Sequence, residues 1–418
     1  MNFDWKKILL IIGFILGVVI IGYLLYFLFL KPTIPPLGPD TNVNVEPGIL
    51  PPVGTNVNIP TIPGINGALP STDPSLSIPP EEIPADEIIS PIATGGITRT
   101  TPLTTRPALY PALSLDGNNI LYYDNNSGLI YQIANDGSQK AFSDQIFYSV
   151  ENITWAPNRQ KAVLEYPDGS NIIYDFTKKE QITLPKHWKE FSFSPKSDQI
   201  IFKSMGQTEE TRWVAIADSD GSNALKIEHL GNEDARVHVN WSPQGQIVAM
   251  FRKSKAFDRE DLYFLGQNDE NFRSTVIEGR GFDGKWSSNG DKLLYSVYSS
   301  NSSYKPTLWI VQASGDNIGS NRRSLQLQTW VEKCSFADNN TIYCAVPRQL
   351  EEAAGIFPNE MDNSPSDIYK IDLNTGAKNR IAIPQGEHNI ASVMASNDGR
   401  YLYFTSKDNG RLYKIDLK

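Results

Sequence analysis

Apolar and polar residues alternate in short runs from about residue 97 to residue 418. Typical runs are 120–123 (Ile-Leu-Tyr-Tyr), 308–311 (Leu-Trp-Ile-Val) and 368–371 (Ile-Tyr-Lys-Ile). Period-two alternation of β-branched and aromatic residues, bounded by Asp, Asn and Gly, is typical of strands and hairpins. No amphipathic helix of useful length interrupts it, so the pattern predicts an all-β domain over residues 97–418.

A short phrase recurs within this domain: a large apolar residue, Ser or Ala, Pro or Ser, and a polar turn. Seven copies, spaced 38 to 58 residues apart, begin at Leu113, Trp155, Phe193, Trp241, Trp286, Phe336 and Met394. This spacing is the blade period of β-propellers. We therefore predict a seven-bladed β-propeller, with a six-bladed ring and one stray copy as the alternative.

Two copies, Trp155-Ala156-Pro157 and Trp241-Ser242-Pro243, carry a family resemblance. With the strands that follow, they resemble the WD-like repeats of TolB-type β-propellers. The copies at Phe336 and Met394 depart from that scheme. The resemblance covers residues 98–418 and implies the fold, but that family includes translocation accessories, peptidase gates and binding modules, so it implies no single function.

The last copy stops after its third strand, so its outer strand must come from elsewhere. Residues 97–104 resemble an outer strand and have no other blade to join. We predict that they complete blade seven and remove an exposed strand edge, with Pro102 in an edge position that suits proline.

Residues 8–30 are an uninterrupted apolar run that rises roughly 35 Å as a helix, enough to cross a bilayer. Lys6 and Lys7 precede it and only Lys31 closely follows, which places residues 1–7 in the cytoplasm and the propeller outside it. A cleaved signal peptide is the alternative, but the run is too long and lacks a small-x-small site.

The predicted membrane helix contains Gly13 and Gly17, a GxxxG pair that could support a weak homodimer, although small residues are common in such helices. Residues 31–96 are rich in proline and nearly free of aromatic residues, so we expect a disordered linker. The linker is interpreted as a spacer, with a proline-motif ligand as the alternative.

The net charge of -9 and the pI near 5.1 disfavour a nucleic-acid partner, which requires a clustered positive surface. The only two cysteines, Cys334 and Cys344, flank a hairpin centred near Asn339 and should lie opposite each other. That geometry could support a disulfide outside the cytoplasm, with two reduced core cysteines as the alternative.

The connections between second and third strands lengthen in blades three to six, at residues 205–212, 252–260, 299–305 and 347–366. A helical turn is expected at 349–354. Long loops on a rigid scaffold commonly bind partners, although neutral insertion is the alternative. The binding candidates on this face are Arg252, Lys253, Lys255, Phe257, Tyr304, Lys305, Ile356 and Phe357.

No catalytic residue, metal site or cofactor is predicted. The chain has no GxSxG motif, and its four histidines lack metal-ligand spacing. A propeller enzyme acting on carbohydrate would gather charged residues at its axis, for which the candidates are Asp234, Arg236, Arg280 and Asp283. We therefore expect a membrane-tethered extracytoplasmic module that binds an envelope protein or polymer, with a glycosidase or lyase as the alternative.

Overall fold

The computed structural model describes residues 89–418, which form 29 strands in seven sheets. The prediction of an all-β, seven-bladed propeller is confirmed, and the six-bladed alternative is wrong. The predicted membrane helix at 8–30 and the linker up to residue 88 lie outside the described residues. From residue 89 onward, no helix combines the length and apolarity needed to cross a bilayer.

The strands of blades one to three run in chain order from the axis outward. Blade one contains β3 (Leu109–Leu113), β4 (Ile120–Asp124), β5 (Leu129–Ile133) and β6 (Gln139–Ala141). Blade two contains β7 (Asn152–Trp155), β8 (Lys161–Glu165), β9 (Asn171–Asp175) and β10 (Glu180–Leu184). Blade three contains β11 (Trp188–Phe193), β12 (Gln199–Met205), β13 (Arg212–Asp218) and β14 (Leu225–His229).

Blades four to seven follow the same plan. Blade four contains β15 (Val237–Val239), β16 (Ile247–Ala256), β17 (Arg259–Gly266) and β18 (Thr275–Ile277). Blade five contains β19 (Arg280–Trp286), β20 (Lys292–Tyr298), β21 (Thr307–Gln312) and β22 (Arg323–Ser324). Blade six contains β23 (Cys334–Phe336), β24 (Thr341–Pro347), β25 (Ser366–Asp372) and β26 (Lys378–Pro384). Blade seven contains β27 (Ile390–Ala395), β28 (Tyr401–Ser406) and β29 (Leu412–Asp416).

Helices are short in the described part of the chain. The α-helix is α1 (Pro358–Met361). The 3₁₀ turns are Glu209–Thr211, Asp234–Arg236, Ser300–Ser302, Gly315–Asn317 and Val331–Lys333.

The serine of the recurring phrase closes the first turn of its blade. In blade three the Ser194 hydroxyl accepts a hydrogen bond from the backbone N–H of Gln199 (3.1 Å). The same bond, from the residue five positions on, occurs at Ser114, Ser242, Ser287 and Ser396. The phrase therefore recurs because it fixes the turn between the first two strands.

The apolar core consists of seven clusters, each between two neighbouring blades. In the cluster between blades two and three, for example, the rings of Trp188 and Phe202 of blade three stack with centroids 3.7 Å apart and share the cluster with Ile173 and Leu184 of blade two. Between blades four and five, the fully buried side chains include Leu262, Ile277 and Leu293. Each blade thus covers both its faces only when it has a neighbour on each side.

The N-terminal segment closes the ring, but it joins two blades rather than one. β2 (Thr101–Pro102) pairs antiparallel with β29 as the outer strand of blade seven, which confirms that part of the prediction. β1 (Ile97–Thr98) instead pairs in parallel with β26 of blade six.

Cys334 and Cys344 lie directly opposite each other on β23 and β24, at the register that the hairpin predicts. Their Cα atoms are 4.1 Å apart, their sulfur atoms are bonded, and both side chains are fully buried against blade five. The disulfide ties an axial strand to the strand beside it.

We expect the chain isolated from an oxidising compartment to gain two hydrogen atoms in mass on reduction after unfolding. Replacing both cysteines by alanine should lower the free energy of unfolding by about 2–3 kcal/mol, since the bond restrains the unfolded chain. Intact-mass spectrometry and denaturant titration check these points. An unchanged mass after reduction would show that the thiols are free in the native protein.

Candidate functional site

The long-loop face consists of loops 206–211, 299–306 and 348–365 and the hairpin tip at residues 257–258. Three of the four predicted long connections are present. The fourth, at residues 252–260, was wrongly predicted as a loop. β16 and β17 continue to Ala256 and Arg259, because Lys253 to Ser254 keep pairing across the hairpin and only the two tip residues turn.

The hairpin tip is held against blade five. The Asp258 carboxylate accepts hydrogen bonds from the backbone N–H (3.0 Å) and the hydroxyl of Ser300. The Arg280 guanidinium lies 5.5 Å from the centre of the Phe257 ring and donates to the Phe257 carbonyl. These contacts fix the position of Phe257, whose side chain is 72% exposed.

The loop of blade five is bonded in turn to the loop of blade six. Ser303 and Tyr304 both have left-handed backbones (φ 52° and 56°), which is costly for a residue as large as tyrosine. Their carbonyl groups accept hydrogen bonds from Ala353 (3.0 Å) and Gly355 (2.8 Å). A Cβ on Gly355 would lie 2.7 Å from the Tyr304 carbonyl oxygen, so this approach requires glycine.

The loop of blade six is also anchored at its base. Lys333 is 1% exposed, and its Nζ donates to Asp362 Oδ1 (2.7 Å) and Asn389 Oδ1 (3.2 Å). Lys407 Nζ donates to the Asp362 backbone carbonyl (3.1 Å). Burial lowers the pKa of Lys333, while the adjacent carboxylate acts in the opposite direction. The loop is therefore a fixed part of the ring.

The loop contains a hydrogen-bonded turn within the predicted segment and a short α-helix just after it. Within 349–354 the Ala354 N–H donates to the Glu351 carbonyl (3.3 Å), which closes one turn, and the regular helix α1 (Pro358–Met361) follows a few residues later. Pro358 begins the helix, a position where its missing N–H costs nothing.

A cavity of about 660 Å³ opens on the long-loop face between blades four and five. Its size lies within the range of about 300–1,000 Å³ common among ligand sites. Two aromatic side chains border it, Phe257 from the hairpin tip and the half-buried Trp309 from β21. Small polar side chains complete the wall: Ser299, Asn301, Ser302, Thr307 and Ser324.

Charged groups line one side of the cavity. Glu278 Oε2 accepts from Arg259 Nε (2.7 Å), and its Oε1 accepts from Arg322 Nη2 (3.1 Å). The single negative charge of Glu278 thus offsets only part of the positive charge of two guanidinium groups. The Arg259 side chain remains 60% exposed at the mouth of the cavity.

Of the eight predicted binding residues, the structure places Phe257 in the cavity wall. Arg252 is engaged instead by the Ala235 carbonyl (2.9 Å) and Glu260 (3.5 Å). Lys255 pairs with Asp261. The remaining candidates lie outside the cavity lining: exposed Lys253, half-buried Tyr304 and Lys305, and Ile356 and Phe357, which are 40% and 50% exposed.

Sequence reasoning missed Trp309, Arg259 and Glu278 in the cavity wall. Trp309 stands in an alternating apolar run and reads as a core residue. Glu278 lies in the short connection after the outer strand of blade four, and a connection of this length carries no sequence signal of a binding site. Only the pairing of neighbouring blades brings these residues together.

The four predicted axial residues do not converge on one another. The Arg236 side chain pairs with Glu233 (2.8 Å), and Arg280 turns toward Phe257. The Asp234 backbone carbonyl accepts from Lys203 Nζ (2.7 Å). Asp283 has an exposed side chain, although desolvation by the surrounding protein raises the pKa of its carboxyl group. Across residues 89–418, no group of three or more His, Cys, Asp or Glu side chains is arranged to hold a metal ion.

Fold and cavity define a β-propeller with a preformed recess on one face. No family model and no curated protein matches the sequence. Among solved structures, an oligogalacturonate lyase in complex with manganese is similar, with 14% identity, 76% of this chain and 93% of that chain covered, and a TM-score of 0.54.

Two further solved structures are similar. The β-propeller domain of Myceliophteria thermophila Cps50 (Swd1) shares 10% identity, with 76% of this chain and all of that chain covered and a TM-score of 0.51. A chain of the mitotic checkpoint complex shares 13% identity, with 85% of this chain and all of that chain covered and a TM-score of 0.50. At these identities the likeness shows the fold alone.

We expect Asp362→Asn to lower the free energy of unfolding by about 3–5 kcal/mol, because it leaves the Lys333 ammonium buried without its carboxylate. Denaturant titration measures the change. Lys333→Met combined with Asp362→Asn should recover much of the loss. Glu387→Gln, which removes an exposed ion pair with Arg348, is the control and should change stability by less than about 1 kcal/mol. Equal effects of the two single variants would contradict the anchoring role.

Proposed function

We propose that this chain is a membrane-tethered, extracytoplasmic propeller of the TolB type that binds an envelope protein or polymer through its long-loop face. The observation that carries the proposal is the cavity between blades four and five. Its walls come from two blades, and hydrogen bonds between loops hold them in place. A site that is ordered before binding loses little conformational entropy when a ligand enters.

Exposed apolar side chains on the same face support a binding role. Phe257, Ile356 and Phe357 are 72%, 40% and 50% exposed, although each lies in a well-anchored segment. Large apolar groups held open to water in this way are typical of interaction surfaces.

The sequence and the disulfide support the proposed location. The apolar run at 8–30 has the length and flanking lysines of a membrane anchor, which makes the lipid bilayer the first proposed partner. A weak homodimer through Gly13 and Gly17 stays a prediction. The bond between Cys334 and Cys344 suits an oxidising compartment.

The proposal is tested by placing the photoreactive residue benzoylphenylalanine at Phe257 of the full-length chain in cells. Because this residue resembles phenylalanine and reacts with any nearby C–H bond, it captures protein and polysaccharide alike. We expect a light-dependent adduct, detected as a mobility shift. The same residue at Leu115, which is 67% exposed in the first turn of blade one on the opposite face, is the control. No adduct, or equal adducts at both positions, would contradict binding through this face.

A second candidate function is a carbohydrate-active enzyme with an axial site. One arrangement favours it: the exposed carboxyl groups of Glu332 and Asp283 lie close enough to interact, so that desolvation by the surrounding protein and the negative charge of Asp283 both raise the pKa of Glu332. Burial also raises the pKa of Asp283. A carboxyl group that stays protonated to higher pH can act as a general acid, while a second carboxylate acts as base or nucleophile.

If the axis is catalytic, the full-length chain should cleave a polysaccharide such as alginate, and Glu332→Gln should reduce the rate at least about a hundredfold. Activity should fall as the pH rises through the raised pKa of Glu332, because the acid form is then lost. The rate is measured as the number of new polysaccharide chain ends formed per unit time. Glu387→Gln, a substitution at the surface, is the control. A Glu332→Gln protein as active as the parent would exclude this role.

A further inference from the structure

The cavity between blades four and five has features that specify a class of ligand. We propose that it binds a carboxylate-bearing sugar residue of an envelope polysaccharide. This inference rests on the proposed function, because it names the ligand of the same face.

The first argument concerns the arginines around the cavity. Arg259 and Arg322 both engage one glutamate, Glu278, and the guanidinium of Arg280 lies nearby over the Phe257 ring. The other carboxylate of the cavity, Asp258, accepts hydrogen bonds from the uncharged Ser300 and keeps its negative charge. Three guanidinium groups thus face two carboxylates, which leaves one positive charge in excess at this point of an acidic protein. An anion bound at the cavity mouth would neutralise the remaining positive charge.

Arg259 is the group best placed to meet that anion. Only its Nε is used by Glu278, and within residues 89–418 its two terminal nitrogens have no other side-chain partner. Two parallel N–H groups match the two oxygens of a carboxylate. The ion pair with Glu278 also holds the guanidinium in a defined orientation.

The second argument concerns the rest of the wall. The Trp309 indole N–H donates to the Thr307 hydroxyl (3.3 Å), and one face of the half-buried ring stacks on Tyr295 (centroids 6.4 Å apart), so the rest of the ring borders the cavity. Phe257 offers a second, more exposed ring. Aromatic surfaces bordered by hydroxyl and amide groups, here with Asn301 at the rim, suit a pyranose ring, which has apolar C–H faces and a polar edge.

An acidic peptide has the same charge but fits the site less well. Peptides commonly add a strand to a free sheet edge or insert a large apolar side chain into a deep pocket. The outer strand beside this cavity, β22, has only two residues. The wall between the aromatic rings is made of small polar side chains. The geometry therefore favours the glycan.

The experiment uses the full-length chain in detergent micelles and measures binding by titration calorimetry to alginate and hyaluronan, which carry carboxylates. Dextran is the neutral comparison and polyglutamate the peptide comparison. We expect binding to at least one of the two carboxylated glycans, and none to dextran. Arg259→Gln should weaken that binding at least about tenfold, because it removes a charge-assisted hydrogen bond to the carboxylate.

Arg273→Gln is the matched control, because Arg273 is an exposed arginine of blade four on the opposite face and should leave the affinity unchanged. Failure to bind either carboxylated glycan, or tighter binding to polyglutamate, overturns the inference. If a Phe257 photo-adduct still forms in cells, only the ligand class is wrong. If no adduct forms either, the proposed function falls with it.

Discussion

Every blade of this propeller has two apolar faces, and burying both is the constraint on which the rest of the structure depends. A sheet that is apolar on both sides cannot be stable at the end of an open row. The seven clusters between blades satisfy this condition only when the ring is closed. The N-terminal segment closes the ring, because the C-terminal part of the domain supplies only three strands of blade seven and β2 supplies the fourth.

A rigid ring allows the long-loop face to hold unfavourable local geometry. Tyr304 keeps a left-handed backbone because its carbonyl is used by the neighbouring loop, and that loop can approach because Gly355 has no side chain. The buried ion pair of Lys333 and Asp362 fixes the other end. The long-loop face is thus held by contacts between blades, and a change in one loop acts on the loops beside it.

The sequence predicts the repeating part of this fold well, and for a local reason. Turns closed by residues such as Ser194 and Ser242, and strands of alternating residues, are encoded within a few positions of each other. The opposition of Cys334 and Cys344 follows from the same logic, since it depends on one hairpin.

The candidate site was harder to predict, because it depends on contacts between residues far apart in the chain. Glu278 of blade four bonds Arg322 of blade five, a contact that neither local sequence indicates. The sequence around Trp309 predicts a core residue, and only the packing of the neighbouring blade leaves one side of it at the cavity. The sequence did predict Phe257 as a binding residue, because it lies between two strands that are far apart in the repeat pattern. In the structure those strands extend toward each other and Phe257 lies at the tip of their hairpin. The parallel pairing of Ile97–Thr98 with blade six had no local signal either.

That pairing determines how the domain carries mechanical load. A pull on the chain ahead of Ile89 reaches first the hydrogen bonds between Ser90 and Ile97 and between Ala93 and Asp416. Beyond them, β1 is attached to blade six and β2 to blade seven. Tension therefore meets contacts with blade seven, then blade six, then blade seven again, so attachments to both blades must break before the seam of the ring opens.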